Sequence, residues 1–334
     1  MRQFTNRTLL TIFSLFCFLT IPTLAQDADT DLAVVAVDWH PDGYMFAEVL
    51  SDGQVKLIDW LNGEVYASVT TDGTAFLKFA EVEWNQSGDM LAAGIGMYVY
   101  IWDYPSINHR YQFLVGDPAG EFYVESGDWI PEQIETLSWS PDNRIAVVAL
   151  SGRVTVWDVE GSQLLSDFTV GNVAQAIVWT EDFTEVTNSL AVYDVETGNK
   201  TSLPPTGFLA FGARTSAARQ DNTNVIAISD VFGNADVYDL TTTTLLGQYD
   251  LSETNAAIWD ISWEPDSNRF ATVDDEGIVS IVDIDVDMEH DPVMVVQDFD
   301  GRLFAVDWHP KEDMLLVGGI SNDGNPVLET ILID

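Results

Sequence analysis

The sequence predicts an all-β fold, a seven-bladed β-propeller with four-stranded antiparallel blades. Three observations lead to this prediction. A short apolar alternation ends seven times in an aromatic or aliphatic residue followed by Asp, at successive spacings of 36 to 55 residues. A tryptophan precedes most of these pairs by about twenty residues, which is the second mark of an internal repeat. Turn residues then follow the tryptophan directly.

The Asp-containing pairs mark the ends of third strands, and the tryptophans mark the ends of first strands. The pairs are Ile58-Asp59, Trp102-Asp103, Trp157-Asp158, Tyr193-Asp194, Tyr238-Asp239, Val282-Asp283 and Ile333-Asp334. The marker tryptophans are Trp39, Trp84, Trp139, Trp179, Trp263 and Trp308, with Phe208 or Phe211 expected in the fifth repeat. Because one blade cannot bury both of its faces, blades must stack, and the marker tryptophans are expected to lie between them.

The turn after each marker has a chemical basis. Pro41, Asp42 and Gly43 follow closely on Trp39, and proline recurs two residues after Trp139, Trp263 and Trp308. Proline presets the dihedral angle of the second turn residue, and Asp, Asn or Gly adopt the conformations that follow. Each marker is therefore expected to end a strand at a tight turn.

Two repeats depart from the pattern. Only 15 positions separate Trp179 from Asp194, so blade four is expected to be shortened. The sequence reaches Asp334 at the end of a third strand, so the last blade is expected to have three strands or a weak closure.

The third repeat resembles a WD repeat. The string Trp139-Ser140-Pro141-Asp142 is followed by Ser151-Gly152-Arg153-Val154-Thr155-Val156-Trp157-Asp158, which ends in the Trp-Asp pair. Trp102-Asp103 is the other literal match, and the Gly-His pair of the family is missing from every repeat. The resemblance covers essentially residues 26–334 and suggests a degenerate, secreted, bacterial-type WD-repeat propeller. It implies a non-enzymatic scaffold that binds protein or other ligands through its loops, with an N-terminal segment, here Gln26 to Leu32, closing the last blade.

Residues 1–25 have the layout of a secretory signal peptide. Arg2 and Arg7 form a basic segment, an apolar stretch runs from Leu9 to Ile21, and a small residue, Ala25, precedes the expected cleavage site. The apolar stretch is shorter than a membrane span, although an uncleaved anchor is the alternative. The propeller domain is therefore expected to cover residues 26–334 and to lie outside the cytoplasm, in the extracellular space or periplasm. Removing Cys17 with the signal leaves no cysteine, so no disulfide can contribute to stability.

The chain is strongly acidic, with 54 Asp and Glu against 13 Lys and Arg and a net charge of −41. This charge repels a phosphate backbone, which excludes nucleic acid as a partner. It favours a protein or other partner with positive charge, whereas a solvated surface or adaptation to high salt are the alternatives.

No catalytic constellation is recognisable. The sequence has no nucleophile elbow and no phosphate-binding glycine loop. His40 and His309 occupy the same repeat position and are expected to be turn residues of adjacent blades rather than ligands of one metal. The second functional hypothesis is a calcium-dependent propeller hydrolase or lactonase with Asp38, Glu83 and Asp307 in its central channel.

Calcium is the only cofactor that the acidic residues suggest. Two alternating runs could present oxygen ligands on one side of an extended strand, although surface solvation is the alternative. The runs are Asp27, Asp29 and Asp31, and Asp283, Asp285, Asp287 and Glu289.

One connector is longer than the repeat requires, namely residues 116–131 between blades two and three. It carries Phe122, Tyr123 and Trp129 among acidic residues. Long loops on a rigid scaffold often bind partners, and aromatic residues contribute strongly to interfaces. We therefore predict that these three residues form a partner-binding patch; the alternative is that they pack back against the rim.

Overall fold

The computed structural model describes residues 32–72, 80–115, 121–123, 129–170, 176–182, 185–187, 191–203, 214–285 and 292–333. These residues form 29 β-strands. In chain order they are β1 (Val34–Trp39), β2 (Met45–Leu50), β3 (Gln54–Asp59), β4 (Val65–Thr70), β5 (Ala80–Trp84), β6 (Met90–Ile95), β7 (Tyr98–Asp103), β8 (Asn108–Leu114), β9 (Glu121–Tyr123), β10 (Trp129–Pro131), β11 (Ile134–Trp139), β12 (Arg144–Ala149), β13 (Arg153–Asp158), β14 (Gln163–Thr169), β15 (Val178–Trp179), β16 (Glu185–Thr187), β17 (Ala191–Asp194), β18 (Lys200–Ser202), β19 (Arg214–Arg219), β20 (Val225–Asp230), β21 (Asn234–Asp239), β22 (Thr244–Asp250), β23 (Ile258–Trp263), β24 (Arg269–Asp274), β25 (Ile278–Asp283), β26 (Val293–Asp298), β27 (Gly301–Trp308), β28 (Met314–Ser321) and β29 (Pro326–Leu332).

The strands form antiparallel blades, each in sequential order from the innermost strand outwards. Blades one and two are β1–β4 and β5–β8, blades three to six are β11–β14, β15–β18, β19–β22 and β23–β26, and β27–β29 form the C-terminal sheet. The prediction of a propeller with four-stranded blades is confirmed, but the count of seven such blades is wrong. Six blades have four strands, and the C-terminal sheet has three among the described residues.

The same irregularities recur from blade to blade. The innermost pair of strands shifts register near its start, between Val34 and Ala36 in blade one and between Ile134 and Thr136 in blade three. The two outer strands shift register again close to the marker Asp, as between Leu57 and Ile58. Such bulges increase strand twist, so their repetition gives the blades the same shape.

The core is divided among the junctions between neighbouring sheets. Each junction has its own cluster of buried apolar side chains, including the one where the C-terminal sheet meets blade one. All six marker tryptophans belong to these clusters and are at most 8 % exposed. Their predicted place between blades is confirmed, and their burial removes large apolar surfaces from water.

Blades four and five show where the repeat is weakest. The strands of blade four are two to four residues long, which confirms its expected shortening. In blade five, Arg219 occupies the place of the marker, because it pairs with Ile226 as Trp39 pairs with Phe46. The proposed substitutes Phe208 and Phe211 lie outside the described residues.

Among the described residues, no helix combines the length and the apolar character needed to cross a membrane.

Candidate functional site

The innermost strands of the six blades and of the C-terminal sheet surround one central channel. The channel has a volume of about 500 Å³ and is lined by β1, β5, β11, β15, β19, β23 and β27. Its lining includes seven acidic residues. Two of them are Glu135 and Asp221, and the other five, which we call the channel acids, come from four strands: Asp38, Glu81, Glu83, Asp260 and Asp307.

Burial raises the pKa of every one of these five carboxyl groups. The pKa of Glu83 rises to about 8, that of Asp260 to about 7 and that of Asp307 to about 6. In each case the main cause is the loss of hydration of the charged form, and the neighbouring carboxylates add repulsion. Asp307 raises the pKa of Asp38 further, whereas the interaction with Asp38 lowers the pKa of Asp307, so a shared proton is favoured on Asp38.

Four side chains immediately before a marker tryptophan accept a hydrogen bond from the next sheet. In each case the donor is the backbone N–H of the following marker tryptophan. The pairs are Ser262 Oγ with Trp308 N at 3.0 Å, Asp307 Oδ2 with Trp39 N at 2.7 Å, Asp38 Oδ2 with Trp84 N at 2.5 Å, and Glu83 Oε2 with Trp139 N at 3.1 Å. We call these four bonds the inner relay, because together they join five successive sheets around the channel.

A second level of bonds lies three residues before the marker. Asp260 accepts hydrogen bonds from Val306 N at 2.9 Å and from Ser216 Oγ at 3.0 Å, which connects it to both neighbouring strands. Glu81 accepts a bond from Thr136 Oγ1 at 3.3 Å. The carboxyl groups therefore bind donors of the scaffold itself.

Sequence reasoning found three of the five channel acids, Asp38, Glu83 and Asp307. It missed Glu81 and Asp260, although both lie three residues before a marker tryptophan and that spacing was readable. The alternative hydrolase hypothesis assigned Asp38, Glu83 and Asp307 to a calcium site in this channel. Among the described residues, no group of three or more His, Cys, Asp or Glu side chains is arranged to hold a metal ion.

His40 and His309 lie at the turns where they were expected, and each contacts the following blade. His309 Nε2 donates to Gly43 O at 2.9 Å, and His40 Nε2 donates to Gly88 O at 2.9 Å. The Nδ1 atoms accept backbone N–H bonds from their own turns, so both rings adopt the Nε2–H tautomer. Each ring also meets the edge of a marker tryptophan, at centroid distances of 4.5 and 4.7 Å.

The indole groups divide the marker tryptophans into two sets. Trp139, Trp179 and Trp263 donate from Nε1 to a backbone carbonyl of the preceding sheet, at 2.9–3.0 Å. The Nε1 atoms of Trp39, Trp84 and Trp308 have no partner among the described residues. In these three tryptophans the backbone N–H donates instead, to Asp307, Asp38 or Ser262 of the preceding sheet. Five of the six marker tryptophans therefore make either the indole bond or the backbone bond to the preceding sheet. Trp139 makes both.

The structure places the three predicted partner-binding residues in one short hairpin. Strands β9 and β10 pair with each other, and their register sets Tyr123 opposite Trp129 and Phe122 opposite Ile130. The backbone therefore brings the two ends of the long connector together. The rest of that connector, residues 116–120 and 124–128, lies outside the described residues.

Only part of the second acidic run can be assessed. Asp283 ends β25, and Asp285 lies in the turn that follows, so the run does not continue as an extended strand as predicted. Asp283 Oδ1 accepts a bond from Asp285 N at 3.0 Å, and Asp285 Oδ2 accepts one from Asn268 Nδ2 at 2.7 Å. Asp287, Glu289 and the run Asp27, Asp29 and Asp31 lie outside the described residues.

Comparison with known families shows a similarity to a WD40 domain. A family model described as the WD40 domain of anaphase-promoting complex subunit 4 matches residues 11–87. This range covers blade one and extends into blade two beyond β5. A search of curated proteins finds no match. The family match and the arrangement of blades around a channel together support a WD40-repeat β-propeller family.

Proposed function

We propose that this WD40-repeat β-propeller is a non-enzymatic protein-interaction scaffold that acts outside the cytoplasm. The inner relay is the observation that carries the proposal. Three of its four acceptors are the carboxyl groups that a channel enzyme would need, and each accepts a backbone N–H from the next sheet. They hold strands in place, which produces a rigid disc whose turns and connectors remain available for binding.

The charge of the chain supports a positively charged partner. With a net charge of −41, the chain attracts basic proteins over distances set by ionic strength and repels nucleic acid. The aromatic residues Phe122, Tyr123 and Trp129 are the proposed anchor residues, because hairpin β9–β10 brings the segments that carry them together.

The scaffold proposal is tested with the whole chain as bait on extracellular and periplasmic fractions of the source cells. Captured proteins are identified, and each is then purified and titrated against the chain by calorimetry. We expect one-to-one binding to a basic protein, with affinity lowered about tenfold or more when Phe122, Tyr123 and Trp129 are all changed to Ser. Leu246→Ser, at a side chain that is 53 % exposed on blade five, is the control.

The hydrolase alternative and the calcium proposal share a second test. Thermal melting is followed in EDTA and in millimolar calcium. The scaffold proposal predicts the same melting temperature in both, whereas an increase of several degrees in calcium would require a bound metal and would favour the alternative. Amino-terminal sequencing of exported chain tests cleavage after Ala25.

A further inference from the structure

An aromatic cluster lies where the turns of blades one and two meet. The rings of Tyr66 and Tyr104 are 6.1 Å apart and inclined at 56°. Tyr104 also contacts the rings of His40 and Trp84, each at 5.1 Å, which fixes its position against the junction. Tyr66 is 50 % exposed, and its hydroxyl donates to Pro105 O at 3.0 Å. The two tyrosine rings thus form a notch at the surface, in which neighbouring contacts fix the rings and one ring remains half exposed.

Two carboxyl groups, Asp42 and Asp59, lie near enough to Tyr104 to repel its ionised form. Partial burial raises the pKa of the Tyr104 hydroxyl, and repulsion from Tyr66, Asp42 and Asp59 raises it further. The side chain of Asp42 is 71 % exposed. Two aromatic faces with negative charge beside them form the environment in which a cation is attracted both by the rings and by the carboxylates.

The neighbouring junction shows the chain using the same chemistry internally. Lys311 Nζ lies 5.6 Å from the ring centroid of Tyr44 and donates to Asp42 O at 2.8 Å. Lys311 follows His309 by two residues, just as Asp42 follows His40. Where the C-terminal sheet supplies a lysine, blade one therefore supplies a carboxylate. Among the described lysines and arginines, none lies over the ring of Tyr66 or Tyr104.

We propose that the notch formed by Tyr66, Tyr104, Asp42 and Asp59 binds a lysine or arginine side chain of a protein partner. This inference deepens the proposed scaffold function and depends on it. Leu61 is 75 % exposed in the turn before the strand of Tyr66, whereas Val65 precedes Tyr66 in that strand and points to its opposite face. The recognised chemistry is thus the basic side chain itself.

The test measures binding of a dansyl-labelled peptide Ala-Leu-Lys-Leu-Ala to the full chain in 0.15 M salt, by fluorescence anisotropy. A peptide with Gln in place of Lys is the second probe. Tyr66→Leu keeps apolar bulk and removes the aromatic face, whereas Tyr44→Leu makes the same change at the ring that Lys311 already contacts. We expect Tyr66→Leu to weaken binding of the lysine peptide about two- to fivefold, as for an exposed cation–aromatic contact, and Tyr44→Leu to change it less than twofold.

Three outcomes would overturn the notch. Equal binding of the Lys and Gln peptides would show that only apolar contacts hold the peptide. Equal losses of affinity in the two variants would show diffuse attraction by negative charge. Absence of binding would show that the notch has no affinity for a basic side chain. Circular dichroism and the melting temperature confirm that both variants fold. Each of these outcomes leaves the bait experiment unaffected, so a failed notch and a failed scaffold are distinguishable.

Discussion

The junctions on either side of blade one differ from those on either side of blade four. Around blade one, a carboxylate from each preceding sheet binds the backbone N–H of Trp39 or Trp84, and a histidine contacts the same tryptophan. Around blade four, the innermost strand has two residues. Its marker, Trp179, is held by an indole bond to Ser138 O and by Arg144, whose guanidinium carbon lies 4.8 Å from the ring centroid.

The residue before the marker accounts for much of this difference. This residue is Asp or Glu in the C-terminal sheet, in blade one and in blade two. It is Val178 in blade four and Ala218 in blade five, and neither side chain can accept a hydrogen bond. Blade three has Ser138, whose hydroxyl forms no relay bond among the described residues. One part of the ring is therefore connected by side-chain hydrogen bonds, and the other mainly by packing.

The largest test removes packing at the relay side of the ring. Trp39 is 4 % exposed and contacts the rings of Phe46, Trp60 and His309. Trp39→Ala should lower the free energy of unfolding by about 3–5 kcal/mol, because a large cavity remains. The measurement is urea denaturation, with the exposed Leu246→Ala as the control. A loss below about 1 kcal/mol would show that the relay side does not depend on the packing of this buried indole.

The second test uses pH, since the five channel acids, whose pKa values are raised by burial, lie on the relay side. The folded pKa of Glu83, about 8, exceeds its ordinary value of 4.5, so the protonated folded form is favoured. Its contribution is fully present below about pH 4 and is lost as the pH rises to about 8. The loss should be on the order of 3 kcal/mol, somewhat less than the full linkage effect of the shift, because polar groups around a buried carboxyl partly compensate its charge.

The matched variant for the pH test is Glu83→Gln, whose amide oxygen can still accept the bond from Trp139 N. Free energies of unfolding at pH 5 to 9 should fall less steeply for this variant than for the unaltered chain. Parallel pH profiles would contradict an uncharged Glu83 in the folded ring.

The third test concerns the histidines. A Cβ at Gly43 would lie 2.6 Å from His309 Cε1, whereas a Cβ at Gly63 would meet nothing within 4 Å, and both glycines have positive φ, at +74° and +68°. Gly43→Ala and Gly63→Ala therefore share the backbone strain. Gly43→Ala should cost about 2 kcal/mol more, through overpacking against His309. Equal melting temperatures for the two variants would show that the close approach of Gly43 to His309 does not contribute to stability.

The smallest test compares two serines at the same repeat position. Ser262 Oγ accepts from Trp308 N and donates to Asp307 Oδ1, whereas Ser138 takes no part in the relay. Ser262→Ala should lower the free energy of unfolding by about 1–2 kcal/mol, because it leaves a buried N–H without its acceptor. Ser138→Ala should stay within about 0.5 kcal/mol. Similar losses in urea denaturation would mean that the relay does not distinguish the two parts of the ring.

The fold was largely predictable because repetition leaves a readable trace: the marker tryptophans, six of the seven Asp-terminated strands and the short fourth repeat lie where the spacing suggested. The marker of blade five was not predictable, because Arg219 shares no chemistry with the tryptophans that it replaces. The channel was only half predictable. Carboxylates before tryptophans were visible in the sequence, but their use as acceptors for the next sheet depends on distances between strands that sequence does not contain.

The inner relay has a consequence for how this ring can be rebuilt. Each of its bonds takes its acceptor from one repeat and its donor from the next. A repeat moved alone into another propeller would lose the partner of its acid on one side and the partner of its amide on the other. At these positions the unit that could be transferred intact is therefore the junction between two repeats. It consists of the second half of the innermost strand of one repeat and the second half of the innermost strand of the next.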